Sequence, residues 1–473
     1  MCNIKMISTG INYNYHQYNS SVQICIVFIN GFDYNPGQIK KTDKEKTVRF
    51  FKLRDWVIEK AGIKKRLQII FLWYLLSLMV ETRKHSLKFA SVLSGMNKSQ
   101  FSKFLKNNCR TSAYTLESLS KKQAKKLAKV LKKLTGLPWS VVIIIDSTFL
   151  TRASLKPENV QRFNHGKGFV IGHQWTNIVL FINGFIIPLL PIPFHTKKYC
   201  RENKIEYRTE HERIVEYLTG LNLTEYIGPH RNDDAVVLGD SGYDDKMIQN
   251  TIVGKGWDFI IALKCRRGVK SEAKYAKTRK SAGWEQIAVF FKNQRMLAWE
   301  TVRILTDGPK QKRTEFRIRH TEAWLNNVGK VRLVCSEFKK SRKGKRKYLA
   351  CTDLETTPRQ ILIAYRIRWK IEIFHKHTKM HLGFEDVAAK NFRSVETHVY
   401  AVYCAYILMH DNPPGVSGNS STILEKQQDI RTVIENKKIA SDLQGLTQIG
   451  GADRFKIKLI SVLTDSESHD ALI

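Results

Sequence analysis

Tyr365, Arg368, Glu372 and Lys379 belong to a stretch, residues 364–379, that holds one carboxylate in a field of positive charge. On a helix advancing by 100° per residue, with Tyr365 at zero, Arg368 falls at about −60°, Glu372 at about −20° and Lys379 at about −40°. A phenol, a guanidinium, a carboxylate and an ammonium then share one narrow stripe. Phe374 and Ile363 fall on the opposite side, at about 180° and 160°, where they can pack. An isolated acid among cations suits a metal-dependent phosphodiester site: the acid helps to hold a divalent ion and the cations hold the strand. The same pattern also fits an amphipathic surface helix with ion pairs one turn apart, so the rest of the chain has to decide.

Two further acids stand out by position. Val141-Val142-Ile143-Ile144-Ile145 reads as a strand buried on both faces and ends in Asp146-Ser147-Thr148. Val236-Val237-Leu238-Gly239 reads likewise and ends in Asp240-Ser241-Gly242-Tyr243. The carboxyl ends of strands in open α/β sheets are where ligands collect. Each aspartate alone also fits a plain strand-end cap. With Glu372 across the sheet, three carboxylates would converge and repel one another unless cations bind. Two divalent ions about 3.5–4 Å apart resolve the repulsion and supply the machinery for phosphodiester hydrolysis. Oxygen-only ligands favour Mg²⁺ or Mn²⁺ over zinc. The chain has no Gly-rich phosphate loop, no G-x-S-x-G and no H-E-x-x-H, which leaves nucleotide hydrolysis, serine hydrolysis and zinc proteolysis without support.

The elements that must position these residues follow from patterning. Residues 1–48 are rich in Asn and Tyr, with one strand-like run at 24–32, and receive no role. Residues 49–137 read as an all-helical DNA-binding domain. Within it, a short helix ends at Gly95, Asn97 caps the next, and Phe101, Phe104 and Leu105 face inward. That is the layout of a helix-turn-helix, leaving Lys98, Gln100, Ser102, Lys103 and Lys106 to meet DNA. Two packed helices of an ordinary bundle share the layout. A basic helix then runs to Leu134, before Gly136-Leu137-Pro138. Residues 138–392 alternate strands and helices, which predicts a mixed α/β sheet. Asn183-Gly184 marks a type I′ hairpin. Residues 265–355 interrupt the sheet with strands predicted at 284–291, 296–305, 314–319, 331–335 and 347–351, and with an almost purely cationic tip at 339–347. Residues 393–473 form a C-terminal helical region and tail.

The chain carries 79 Lys and Arg against 43 Asp and Glu, a net charge of +36, which implies a polyanionic partner. The eight cysteines are scattered and have no zinc spacing, as expected of reduced thiols in a cytoplasmic protein. The apolar run at 67–80 is too short to span a bilayer, so no membrane association is expected.

Tyr365, Arg368, Glu372 and Lys379 meet the Y-x2-R-x3-E-x6-K signature without gaps. In this the chain resembles the DDE transposases of the insertion-sequence-four family. Thr352-Asp353-Leu354 and Leu382-Gly383-Phe384-Glu385-Asp386-Val387 resemble the motif's surroundings, and the blocks at Asp146 and Asp240 resemble the two aspartate motifs. The resemblance covers roughly residues 60–410. It implies an RNase H-like core with a β-rich insertion, and cut-and-paste transposition by a homodimer acting on double-stranded DNA at terminal inverted repeats and at a target. Asp146, Asp240 and Glu372 would hold two Mg²⁺ or Mn²⁺ ions. Tyr365, Arg368 and Lys379 would grip phosphates, and Trp284 or Trp299 would stack on a flipped base or serve core packing. The location implied is the bacterial cytoplasm, at the nucleoid through DNA. An RNase H-fold nuclease without strand transfer, and a transposase-derived binding protein without catalysis, are the competing readings.

Overall fold

The computed structural model describes residues 36–448 except for 63–67, 135, 167, 230–233, 280–282, 295, 306–312, 340–345 and 419–421. The strand expected at 24–32 and most of the cationic tip lie outside the described residues. Two compact units divide the chain. One comprises residues 1–54 and 429–473, and its described part is helical. The other comprises residues 55–428 and contains every candidate site residue.

After the end of a helix, Pro36–Ala61, the larger unit has helices α1 (Gln68–Val80), α2 (Leu87–Ser94), α3 (Lys98–Asn107) and α4 (Cys109–Ala128). Helix α1 carries the apolar run noted at 67–80, with Leu75, Leu76 and Met79 excluded from water. Ser86 caps α2, and Gly95 closes it in the left-handed conformation, φ 71°, which glycine adopts without steric cost. Asn97 then opens α3 with a reciprocal capping box to Gln100. Phe101, Phe104 and Leu105 are buried, each side chain contributing about 1.5–3 kcal/mol. Lys98, Gln100, Ser102, Lys103 and Lys106 remain exposed. The basic helix α4 stops at Ala128, earlier than expected; residues 129–130 form a turn and 131–134 are irregular. Helices α1, α3 and α4 pack on a later helix, Phe392–His410.

One mixed sheet of 13 strands follows. Its strands are β1 (Val141–Thr151), β2 (Gln161–His165), β3 (Gly168–Ile182), β4 (Phe185–Pro188), β5 (Ile192–Pro193), β6 (Ala235–Gly239), β7 (Asp258–Leu263), β8 (Gly268–Lys270), β9 (Glu285–Gln286), β10 (Glu300–Leu305), β11 (Arg313–Leu325), β12 (Gly329–Phe338) and β13 (Lys347–Cys351). The path runs β2-β3-β1-β6-β7-β13-β12-β11-β8-β9, with β4 and β5 also on β3 and β10 on β11. Strands β1, β6 and β7 are mutually parallel, whereas β3 is antiparallel to β1. Asn183 and Gly184 both have positive φ, 48° and 89°, as the hairpin between β3 and β4 requires.

Two local expectations are corrected. The strand expected at 284–291 is two extended residues followed by a helix, Ile287–Asn293, because Ile287, Phe290 and Phe291 recur at helical spacing and are all buried. Strand β3 runs unbroken from Gly168 to Ile182. The 265–355 hairpins do not interrupt the sheet but extend it: β13 pairs with β7, and β12 and β11 continue outward.

The helices that frame the site are α5 (Glu210–Gly220), which precedes β6, and, after β13, α6 (Pro358–Ile367), α7 (Trp369–His381) and α8 (Phe392–His410); a further helix, Ile423–Gln448, follows. Thr357 caps α6 with a capping box and Pro358 takes the first turn. The single helix expected through Tyr365 and Lys379 is two helices joined at Arg368. Helix α8 is almost wholly buried, and Phe374 of α7 packs edge-on against its Tyr403 and Tyr406, with ring centroids 4.9 and 4.8 Å away.

Candidate active site

Strand register brings the two aspartates together. In the parallel pair β1–β6, Ile145 lies opposite Gly239, so Asp146 and Asp240 are the next residues on neighbouring strands, about 4.8 Å apart in the pairing direction. Asp240 remains extended, φ −80° and ψ −174°, before a single turn at Ser241–Tyr243. Asp146 is not the end of its strand, as the sequence suggested. Strand β1 runs on to Thr151 because the long antiparallel β3 keeps pairing with it, through Thr151 opposite Gly172. Only the parallel neighbour stops, and a cleft opens beside a continuing strand.

Glu372 reaches this cleft from the first turn of α7, and Arg368 at the helix junction binds it. One Arg368 nitrogen lies 2.6 Å from a Glu372 oxygen and another lies 3.7 Å from Asp146. A single guanidinium therefore serves two carboxylates. Burial, together with the fields of Asp240 and Glu372, pushes the Asp146 carboxyl up to about 7, against the opposing pull of Arg368. Backbone N–H groups orient both aspartates: Ser147 donates to Asp146 at 3.0 Å and Gly242 to Asp240 at 2.7 Å.

The remaining predicted residues divide. Tyr365 is buried beside Arg368, and burial pushes its phenol up to about 12, so it stays neutral. Lys347, the first residue of β13, lies 5.0 Å above its ring. Lys379 is directed elsewhere: its ammonium donates to the Phe149 carbonyl at 2.7 Å and pairs with Glu385 at 3.3 Å. Its ammonium thus meets β1 three residues beyond Asp146, at Phe149. Trp284 lies under the Lys270 ammonium, Trp299 lies among arginines, and Trp369, beside Arg368, is 59% exposed.

Sequence reasoning missed the support behind Asp146. Asn177 is its antiparallel partner on β3. The Tyr403 hydroxyl donates to the Asn177 oxygen at 2.6 Å, and the Asn177 amide donates to His375 Nε2 at 2.9 Å. Burial lowers His375 to about 3, so its ring is neutral and can accept. This chain links β3 and α8 to the helix that carries Glu372, one turn after it. On the other face of the sheet, α5 braces the Asp240 turn. His211 contacts the Gly242 carbonyl at 3.0 Å, and Glu210 accepts from Thr176 and Tyr243 at 2.7 and 3.5 Å. His375 was visible in the opening stretch, but no spacing rule distinguishes it from its neighbours; Asn177 carried no local signal at all.

The donors Asp146, Asp240 and Glu372 are all carboxylates, and Asp146 is raised first by burial and then by the fields of the other two. That chemistry fits an oxygen-preferring divalent ion. As the side chains stand, no three His, Cys, Asp or Glu residues among the described ones are grouped closely enough to hold a metal ion; Arg368 occupies Glu372 instead.

Residues 194–408 match the protein-family model described as "Transposase DDE domain". This span is less than half the chain; it includes Asp240, Tyr365, Arg368, Glu372 and Lys379 and leaves Asp146 outside. No curated protein matches the sequence. The family match supports a transposase of the DDE type and, with it, an enzyme class that cuts nucleic acid using divalent metals. Among the described residues, no helix is long and apolar enough to cross a membrane.

Proposed function

We propose that this protein is a transposase that cuts and joins double-stranded DNA at the terminal inverted repeats of an insertion sequence. The observation that carries the reading is the convergence of Asp146 and Asp240, through strand register, on a cleft that Glu372 enters from α7. The order β4-β3-β1-β6-β7, with β1, β6 and β7 parallel and β3 antiparallel, supports an RNase H-like core of the insertion-sequence-four type. Asp146, Asp240 and Glu372 would hold two Mg²⁺ or Mn²⁺ ions, which when bound activate water or a DNA 3′-hydroxyl and stabilise the developing charge.

The chain's own groups orient the strand. Arg368 is the grip nearest the cleft, and its guanidinium, now on Glu372, would be free for a DNA phosphate if Glu372 held a metal ion. Tyr365 supports Arg368 from below, and Lys379 contacts the backbone further along β1. Trp369 offers an open ring to an unpaired base. The exposed basic face of α3 enters a groove of the duplex, in the manner of a recognition helix. Synapsis of two DNA ends calls for a homodimer. The protein would act in the bacterial cytoplasm on nucleoid DNA.

The test is a nicking and joining assay on DNA carrying the ends of the element that encodes the protein, with Mg²⁺. Glu372→Gln is expected to abolish cutting while leaving DNA binding intact, and Arg368→Ala to weaken the hold on the DNA end. Equal cleavage by wild type and Glu372→Gln would remove the site assignment, and nicking without joining would make the protein a nuclease.

A further inference from the structure

We propose that the arginine cluster around Trp299 is a clamp for DNA backbone phosphates, built on the outer part of the sheet. The proposal rests on the DNA-cutting reading for its ligand but not for its geometry. The guanidinium carbons of Arg317, Arg319 and Arg346 lie 4.8, 4.6 and 5.6 Å from the centre of the Trp299 ring. Arg317 and Arg319 are two residues apart on β11, hence on one face. Trp299 directly precedes β10, whose Glu300 is paired with Ile318, and Arg346 directly precedes β13.

Three like charges on one ring repel one another, by roughly 1–4 kcal/mol per close pair at surface dielectric. Among the described residues the compensation is slight. Glu337 pairs with Arg317 at 3.5 Å and with Arg346 at 3.4 Å. Arg319 forms no ion pair with a described carboxylate, and its buried Nε has no hydrogen-bond partner. The Arg317 and Arg346 side chains are 43% and 41% exposed, so an anion can reach them. Forked guanidiniums suit phosphate oxygens, and an indole face holds cations in place. Trp299 therefore serves as a seat for arginines rather than as a stacking surface for a flipped base.

The phosphates are those of a nucleic acid because the chain's net charge of +36 and the proposed cutting site both call for one. Arg346 turns to Trp299, while the adjacent Lys347 lies over Tyr365, which neighbours Arg368. Consecutive strand residues face opposite sides of the sheet, so the clamp lies on the face away from Tyr365 and Arg368, one residue along the chain.

Binding of the full chain to a fluorescent duplex of about 30 base pairs and arbitrary sequence, in EDTA, measures the clamp without cleavage. The Arg317→Gln/Arg319→Gln double variant should bind about tenfold more weakly and reduce the slope of log K against log salt by roughly 1–2. Arg303→Gln, which breaks a surface pair with Glu315, should leave the slope nearly unchanged. Trp299→Ala should weaken binding equally to intact duplex and to duplex with an abasic position. An unchanged slope in the double variant, or a Trp299→Ala defect that vanishes on abasic DNA, overturns the proposal. If the glutamine pair does not fold, Arg317→Lys/Arg319→Lys decides: weaker binding at unchanged slope supports the clamp, and equal binding overturns it. Failure of the nicking assay with intact salt dependence would instead remove the catalytic reading alone.

Discussion

The cleft and the Trp299 cluster are inverted images of one electrostatic problem. In the cleft, Asp146 and Glu372 share the guanidinium of Arg368. On the outer sheet, Arg317 and Arg346 share the carboxylate of Glu337, beside Arg319. Each group shares a single counter-charge, in opposite senses, and in the proposed reading the cleft would be completed by a cation and the cluster by a phosphate. The two also differ in support. The cleft is braced from both faces of the sheet, by Asn177 with His375 and Tyr403 and by Glu210 with His211. The arginines are held by one aromatic ring and remain partly open to solvent. Chemistry needs fixed ligands, whereas backbone binding tolerates adjustable cations.

The sharpest way to break the comparison is Asp146→Asn. It removes charge from the cleft and should lower nicking by on the order of a thousandfold or more, with the salt dependence of DNA binding unchanged; retained nicking would mean that the cleft is not the catalytic centre. Asn177→Ala leaves every acid in place but cuts their support. Activity should fall about 10–100-fold, with stability lower by roughly 1–3 kcal/mol, as read by initial rates and denaturant midpoints; a variant as active as wild type would show that the bracing is not needed.

Protonation tests the cleft without mutation. An acid with a raised folded pKa is favoured in its protonated form by folding. In metal-free protein the Asp146 contribution should therefore decline as pH rises from about 4 to about 7. Mg²⁺ should raise the thermal midpoint more at pH 8 than at pH 6, because proton and metal compete. An equal rise at both values would show that Asp146 is not a ligand. The smallest expected effect belongs to Lys347, over Tyr365 on the cleft side. Lys347→Ala should lower the salt slope of DNA binding by about 1, and a slope equal to wild type would remove Lys347 from the DNA contact.

Much of the local structure was legible in the sequence. The Gly95 stop and Asn97 cap, the Asn183-Gly184 hairpin and the buried strands before Asp146 and Asp240 all depend on short-range sterics or on contiguous apolar runs, which local sequence records directly. The stripe from Tyr365 to Lys379 was read in part. It assumed one straight helix, whereas the junction at Arg368 lets that side chain reach Glu372 while Lys379 turns to Phe149. The strand expected at 284–291 failed because a short apolar run is ambiguous between strand and helix until its burial partners are known.

By itself the sequence determined the acids, the cations around them and the elements that carry them, because residue type, period and capping act over a few positions. Tertiary structure alone decided that Ile145 pairs with Gly239, so that two aspartates far apart in the chain stand side by side. It also decided that Asn177 stands behind Asp146 and that three arginines gather on Trp299. Those placements follow from strand register and order, which are set by burial summed over the whole sheet and leave no mark at any single position.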